Sequence, residues 1–435
     1  MTWMSALPLI AVLALVLTVP GFLAGIVGGL KVEWATVLAP VTSLGILAAA
    51  ISVSNVLKIS WNLVPVVIAT VIVCVLLGIA RYAGRVLAVR FADSQRGADG
   101  SAAAGADDRA ERAGEAELAG QLGQGGEEGD RSSDDRWRVV WILVGAAIAM
   151  LGTAIAVKRG MGTIDALQQT YDAPFHVNAV DHVMQVGRVS PGIVASISAT
   201  ANPGAAYPPL FHAIASLGAI VTGTNAIAAC NALGLVQSAI CWPLSLAAMP
   251  LALAPRSRRL LLYTPVLGAL CQAFPYQLLD FGVLWPYGLG VAVVPGIVAL
   301  IVIVLRAAPE PDPHRVPVLV AIVIGLLGAY ALRLAHPSVF ISAACFGLII
   351  LGVRGATRLA RWARRSPLGV AALAGSILVV AAAYHLLYKV LLSTDAFGPV
   401  LRFDWPARMT ASQALGQAIV MRSRPPSEAI IWAMG

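Results

Sequence analysis

The sequence predicts an all-α polytopic membrane protein with about ten transmembrane helices. Of its 435 residues, 58% are hydrophobic and only 12% are charged, and the mean hydropathy is +0.81. Soluble globular proteins carry about 25% charged residues, so this composition excludes a soluble enzyme. Apolar stretches close to the ~20 residues that cross a bilayer recur along most of the chain. The alternating ~10-residue segments of a transmembrane β-barrel are absent from the sequence.

The apolar stretches and the segments between them predict four regions. Residues 1–91 form an N-terminal three-helix membrane segment, with spans at 5–30, 35–57 and 62–89. Residues 92–138 are rich in Ala, Gly, Glu and Asp and are expected to form a disordered cytoplasmic loop, because they cannot bury a core. The membrane core at 139–392 has spans at 139–157, 225–254, 260–278, 285–306, 316–334, 338–353 and 368–392, an outer loop at 158–206, and an extracytoplasmic tail after it at 393–435.

The basic residues predict the orientation of these helices. Arg81, Arg85 and Arg90 precede the polar loop and Arg138 follows it, which places the loop in the cytoplasm of a bacterial cell. The later arginine clusters also fall inside if the short stretch 207–222 forms an interfacial helix that does not cross. Both termini are then extracytoplasmic. The net charge of +8 is explained by these anchors, and since no nucleic-acid-binding motif accompanies them, we expect no nucleic-acid partner.

The outer loop contains the strongest candidate for a catalytic site. Asp172 and Pro174 are typical of the first residues of a helix, and His176 then lies one turn after Asp172. A carboxylate and an imidazole in this arrangement can serve as a general base and its orienting partner, or as two ligands of a divalent cation such as Mg²⁺ or Mn²⁺. The competing interpretation is an ordinary helix cap followed by surface polar residues.

Further polar and aromatic residues are predicted at the same membrane face. Trp285 is either an interfacial anchor or a platform for a sugar ring. Arg333, His336 and Lys389 are cations at the level of a lipid phosphate, although Lys389 is equally consistent with a snorkelling anchor. The candidate substrate-binding residues are Asp181, His212, Asp280, Trp285, Arg333, His336 and Lys389.

The motifs in this order resemble the glycosyltransferase fold type C (GT-C). The resemblance is carried by Tyr171-Asp172-x-x-Phe175-His176 after a spanning helix and by Tyr207-Pro208-Pro209-x-Phe211-His212 on the interfacial helix. Phe281-Gly282-x-x-Trp285-Pro286 and His336-Pro337 agree with it. More narrowly, residues 1–425 resemble a group of actinobacterial multi-pass proteins with this architecture. The chain departs from the pattern in its three spans ahead of the loop and in ending at Gly435 without a soluble outer carbohydrate-binding domain.

The resemblance implies a membrane glycosyltransferase of the cell envelope. Its donor would be a polyprenyl-phosphate-linked sugar, its acceptor a glycan or lipid, and Asp172 the base or a metal ligand. The alternatives are a lipid-linked glycan transporter and a non-catalytic GT-C-like partner subunit of a membrane glycosyltransferase, which would be another envelope-biosynthesis membrane protein. The expected partners are therefore membrane lipids, the lipid-linked sugar and such a protein. The sequence has no nucleotide, haem or flavin signature, and its five cysteines lie in apolar stretches without a CxxC motif, which argues against a disulfide framework or a zinc site.

Overall fold

The computed structural model is helical throughout the part of the chain that it describes. It describes residues 1–100, 137–168, 172–198, 206–280, 284–306 and 316–393, together with 410, 412 and 415. Within these ranges every regular element is a helix and none is a strand, which confirms the all-α membrane class. Residues 101–136 of the predicted loop and nearly all of the predicted tail lie outside the described residues.

Thirteen helices follow one another along the described chain. The helix α3 continues to Gly100, so the chain is still helical at 92–100, where the sequence predicts the start of a disordered loop. The helices are α1 (Leu7–Val27), α2 (Val32–Leu57), α3 (Leu63–Gly100), α4 (Trp137–Met161), α5 (Ala173–Val186), α6 (Pro191–Ala195), α7 (Leu210–Thr222), α8 (Ala226–Leu253), α9 (Arg258–Ala269), α10 (Trp285–Val304), α11 (Val318–Ala335), α12 (Pro337–Ala363) and α13 (Pro367–Ser393).

Eight of these helices are long and apolar enough to cross a membrane, compared with about ten predicted spans. The predicted span 260–278 is broken: α9 ends at Ala269, and Phe274 in the following π-helical turn Gln272–Gln277 is extended, with φ −144° and ψ 132°. The residue before a proline is driven out of the helical region by steric clash with the proline ring, and Pro275 follows Phe274. The predicted span 368–392 is α13, a 27-residue helix.

The broken segment nevertheless returns the chain along α8. Gly268 lies against Leu246 and Trp242 of α8, and Trp242 Nε1 donates a hydrogen bond to the Gly268 carbonyl at 3.1 Å. Further along, Leu279 lies against Gly234, nearer the start of α8. The segment 258–280 is therefore antiparallel to α8 and brings the chain back to the end of the bundle where α8 begins.

Helix α2 is the centre of the bundle. Of its most apolar 18-residue window, 78% is buried, and it packs against α1, α3, α8 and α11. Close approach to α1 depends on Gly21, where a Cβ atom would lie 2.2 Å from the Ala39 carbonyl oxygen. The Gly21 amide also donates a hydrogen bond to Ser43 Oγ at 2.8 Å. Small residues of this kind allow membrane helices to pack backbone against backbone.

The outer loop is fastened to the bundle by hydrogen bonds from the transmembrane helices and their connections. Trp61, which is buried, donates from Nε1 to the Ala213 carbonyl in α7 at 2.9 Å and from its amide to the Gly187 carbonyl at 2.8 Å. Asn231 of α8 donates to the carbonyls of Ile164 and Ala166, both at 2.9 Å. These bonds fix both ends of the loop and the position of α5.

The predicted interfacial helix is α7, and the structure corrects its surroundings. As expected, α7 is short, with 13 residues. However, every residue from Leu210 to Ala219 is buried in the structure, because α7 packs against α1, α5 and α8. It is therefore enclosed by protein over these residues, which the prediction of a non-crossing interfacial helix does not specify.

The described chain divides into two compact units, Met1–Ala343 and Ala344–Pro425. The first contains α1–α11 and the start of α12, so the N-terminal three-helix segment shares a unit with the helices of the predicted core. The second contains the rest of α12 and α13. Helix α12 is largely uncovered, with 11% of its most apolar window buried, as expected for a helix that faces lipid.

Candidate functional site

The candidate catalytic residue Asp172 lies at the beginning of α5, as predicted. It occupies the N-cap position, and the His176 amide donates to its carbonyl at 3.0 Å. The Asp172 side chain makes no capping hydrogen bond and is exposed. The carboxylate therefore does not cap the helix, and it lies at the surface, where a ligand can reach it.

His176, one turn later, has a different environment. It is 1% exposed, and its Nδ1 lies 3.0 Å from Nε2 of His212, which is fully buried. In a neutral pair of imidazoles one ring donates the proton and the other accepts it. The hydrogen bond joins α5 to α7 and links the two motifs that the sequence singles out.

Both histidines are held in the neutral form. Burial, together with the smaller effect of the nearby His336, lowers the pKa of His176 to about 4. Burial, and then the neighbouring His176, hold the pKa of His212 well below its usual value, although the Pro208 backbone opposes this shift. An imidazolium is costly in an apolar interior, so the pair carries no charge at neutral pH.

Aromatic rings surround the histidine pair. Phe175 and Tyr207 have ring centroids 4.7 Å apart, and Tyr207 meets His212 edge to face at 5.7 Å. On the other side Phe211 stacks on Trp285 with an interplanar angle of 8° and a centroid distance of 5.7 Å. The Trp285 side chain is 2% exposed, so its ring does not offer the open sugar platform considered from the sequence.

His336 completes the cluster from the junction between α11 and α12. It is extended, with φ −161° and ψ 119°, because Pro337 follows it. Its ring meets Tyr287 edge to face at a centroid distance of 5.3 Å, and its Nδ1 lies 2.7 Å from Ser338 Oγ. Partial burial lowers the pKa of His336, while the negative charge of Asp172 raises it.

The influence of Asp172 also extends to Tyr207. Burial, followed by the Asp172 charge, raises the pKa of Tyr207 to about 12. The charge of the carboxylate therefore acts on both a phenol and an imidazole that retain their neutral forms at pH 7. The site can supply one exposed base, a neutral phenol and a neutral imidazole at the rim of an aromatic cluster.

The structure brings together five of the nine predicted site residues. They come from the start of α5, from α7, from the start of α10 and from the α11–α12 junction, and they are Asp172, His176, His212, Trp285 and His336.

The other four predicted residues are exposed. Asp181 accepts a hydrogen bond from Gln185, one turn later on α5. Arg333 is in the last turn of α11, and Asp280 precedes the start of α10. Lys389 belongs to the second compact unit.

The predicted metal pair is not completed by a third ligand. Across the described ranges, no three His, Cys, Asp or Glu side chains are grouped so that they could hold a metal ion. In addition, Nδ1 of His176 faces His212, while Asp172 points to the exposed side. His176 is therefore engaged inside the bundle, whereas Asp172 is exposed at its surface.

Two polar residues near the cluster are absent from the sequence-based candidates. Gln237 and Ser238 are 1% and 0% exposed, and they begin the π-helical turn Gln237–Cys241 within α8. A Gln-Ser pair inside an apolar span could have been noticed in the sequence as a candidate functional site, because burying polar groups at membrane depth costs free energy. The spacing of the outer-loop motifs gave no reason to connect these residues with Trp285.

Comparison with known protein families gives one assignment. Residues 14–434 match the model of a family of unknown function, DUF6541. No curated protein matches the chain, and no solved structure does. Since the match covers nearly the entire sequence, the chain belongs to the DUF6541 family.

Proposed function

We propose that this protein is a membrane glycosyltransferase that uses a polyprenyl-phosphate-linked sugar as donor and a cell-envelope glycan or lipid as acceptor. The observation that carries the proposal is the position of Asp172. Its carboxylate is exposed and its charge acts on Tyr207 and His336, and the helix that follows it is held by the buried His176–His212 pair. An exposed carboxylate held in place by a packed cluster of aromatic rings is suited to act as a general base that activates a hydroxyl group.

In this proposal the reaction is a single inverting displacement. Asp172 accepts the proton of the acceptor hydroxyl as that oxygen bonds to the anomeric carbon of the donor sugar. The bond between the anomeric carbon and the phosphate oxygen breaks, and its electron pair leaves with the polyprenyl phosphate. Arg333 is always cationic and stabilises the phosphate charge, and His336 contributes a hydrogen bond. Charge stabilisation of a leaving group in this manner is a major source of rate enhancement.

The location of Asp172 favours an enzyme over a transporter. It lies on the 14-residue helix α5, outside the eight helices that are able to span a membrane. Transporters place substrate and coupling-ion sites near the bilayer midplane, on discontinuous spanning helices. A lipid-linked glycan transporter and a non-catalytic partner subunit remain the two alternatives against which the activity is tested.

The test is donor turnover by the purified protein in lipid nanodiscs, with Asp172→Asn beside the wild type. The amide cannot accept the proton, so we expect the rate to fall about 10²–10⁴-fold while the thermal unfolding temperature stays unchanged. Asn178→Ala, an exposed polar change on the same helix, serves as the matched control and should retain activity. Full activity of Asp172→Asn would remove its role as the base. Absence of wild-type turnover across a panel of polyprenyl-phosphate sugars would overturn the enzyme proposal.

A further inference from the structure

The π-helical turn of α8 contains buried polar atoms that the mechanism above does not use. Gln237 Oε1 and Ser238 Oγ, together with Trp285 Nε1 at the start of α10, have no hydrogen-bond partner among the described residues. The Gln237 amide nitrogen makes one long bond, 3.4 Å, to the Trp285 carbonyl. Buried polar groups are almost always paired, and π-turns inside helices are frequent at functional sites.

Two glycines place Trp285 Nε1 and the Gln237 side-chain amide at the contact between α8 and α10. A Cβ atom at Gly234 would lie 3.1 Å from Trp285 Nε1. Gln237 and Ser238 follow Gly234 by three and four residues, which puts them one helical turn away on the same side of α8. A Cβ atom at Gly288 of α10 would lie 2.9 Å from Gln237 Nε2. Both helices thus lack side chains where the polar groups face one another.

We propose that Gln237, Ser238 and Trp285 form a subsite for one uncharged hydroxyl group. The indole N–H can only donate, the amide oxygen can only accept, and the serine hydroxyl can do both. A hydroxyl group is the small ligand that donates and accepts at once. An anionic ligand is disfavoured, because α8 and α10 contain no charged residue that would neutralise it.

The subsite is continuous with the candidate catalytic cluster through Trp285. The same indole ring lies 6.1 Å from the His176 ring and stacks on Phe211. A hydroxyl of the sugar bound beside Asp172, or a water molecule, has the required chemistry. The assignment of the ligand as a sugar rests on the proposed glycosyl transfer. Under that assignment, the subsite selects sugars that carry a hydroxyl group at the matching position.

The first test is direct and does not depend on activity. A structure of the full chain in nanodiscs, at a resolution that shows ordered waters, is determined with and without saturating methyl glucoside as a hydroxyl-bearing probe. We expect density within about 3.2 Å of at least two of the three polar atoms. Density that continues into the glucoside identifies a sugar hydroxyl, and an isolated peak identifies water; either supports the subsite. An empty map in both conditions would overturn it.

The second test separates the sugar from water. Gln237→Leu and, as a smaller change, Ser238→Ala should raise KM for the lipid-linked sugar about 3–10-fold, the effect of one uncharged hydrogen bond, with kcat nearly constant. Ser245→Ala is the matched control, because Ser245 is buried in the same helix and accepts a hydrogen bond from the Gly296 amide. It should reduce stability and leave KM unchanged. If the wild type is active and KM is unchanged in both subsite variants, the assignment of the ligand as a sugar is overturned, but the subsite itself is not. Inactive wild type would instead contradict the proposed function, and the density would still decide the subsite.

Discussion

Asp172 and His176 show how one helical turn separates two chemical roles. Their spacing predicts neighbouring positions on α5, and the structure confirms it. Yet Asp172 is exposed while His176 is buried against His212. The imidazole is kept neutral by burial, which lowers its pKa. In the proposed mechanism Asp172 is the base, and His176 supports the helix that follows it.

The buried histidine pair predicts a loss of stability at acidic pH. Because the folded-state pKa of His176 is about 4, below the unfolded value of about 6.5, the unfolded chain takes up the proton first as pH falls. The pair has no effect on the pH dependence above about 6.5. Between about 6.5 and 4 the free energy of unfolding decreases. Thermal unfolding in detergent, followed from pH 7.5 to 4.5, measures this slope.

The double variant His176→Gln/His212→Gln identifies the source of that slope. It should unfold at a lower temperature at pH 7.5, since a buried hydrogen bond is disturbed, and lose less on acidification than the wild type. His182→Gln is the control: His182 lies outside the pair, with Nε2 3.3 Å from Ser196 Oγ, and the slope should stay as in the wild type. Equal slopes in the wild type and the double variant would contradict the assignment.

At the scale of the element, single prolines and glycines decide where helices break and how closely they pack. Pro275 accounts for the extended Phe274 that interrupts the segment after α9, and Pro337 accounts for the break at His336. The second break places an imidazole beside Tyr287. The local chemistry of X-Pro pairs thus shapes the site as much as the motifs do.

Gly21 gives a sharp test of helix packing. In Gly21→Ala the new Cβ would meet the backbone of α2 at 2.2 Å, and neither backbone can yield without separating α1 from α2. We expect the free energy of unfolding to fall by roughly 1–3 kcal/mol, measured by thermal or denaturant unfolding in detergent. Gly325→Ala on α11 is the matched control, because a Cβ atom there meets no atom within 4 Å. Equal stability of the two variants would show that the α1–α2 contact is looser than described.

At the scale of the whole molecule, the site is assembled from segments that are far apart in sequence. His176 and His212 are 36 residues apart, and Trp285 and His336 come from still later helices. All of them lie within the unit Met1–Ala343. The antiparallel course of 258–280 along α8 is what brings Trp285 back to the end of the bundle that carries α5.

The charge distribution predicts on which side of the membrane this end lies. In a cysteine-free background, Ser196→Cys after α6 should react with a membrane-impermeant maleimide from outside the cell. Ser257→Cys, beside Arg256 and Arg258, should react only after the membrane is opened, because arginine clusters mark cytoplasmic loops. Labelling of both positions from the same side would contradict the predicted orientation. A cysteine-free protein without introduced cysteines gives the background signal.

The sequence by itself determined the membrane class, the places of most helices and the start of α5 at Asp172. These features depend on local composition and on short-range backbone preferences, so they can be predicted from the sequence alone. Only the tertiary structure decided that α7 is enclosed by protein, that His176 pairs with His212, and that the Gln237 amide meets Trp285. Such contacts depend on how distant helices pack, and hydrophobic periodicity does not encode which buried polar groups meet. The structure therefore added the partners of the candidate residues, and with them the division between an open carboxylate and its buried support.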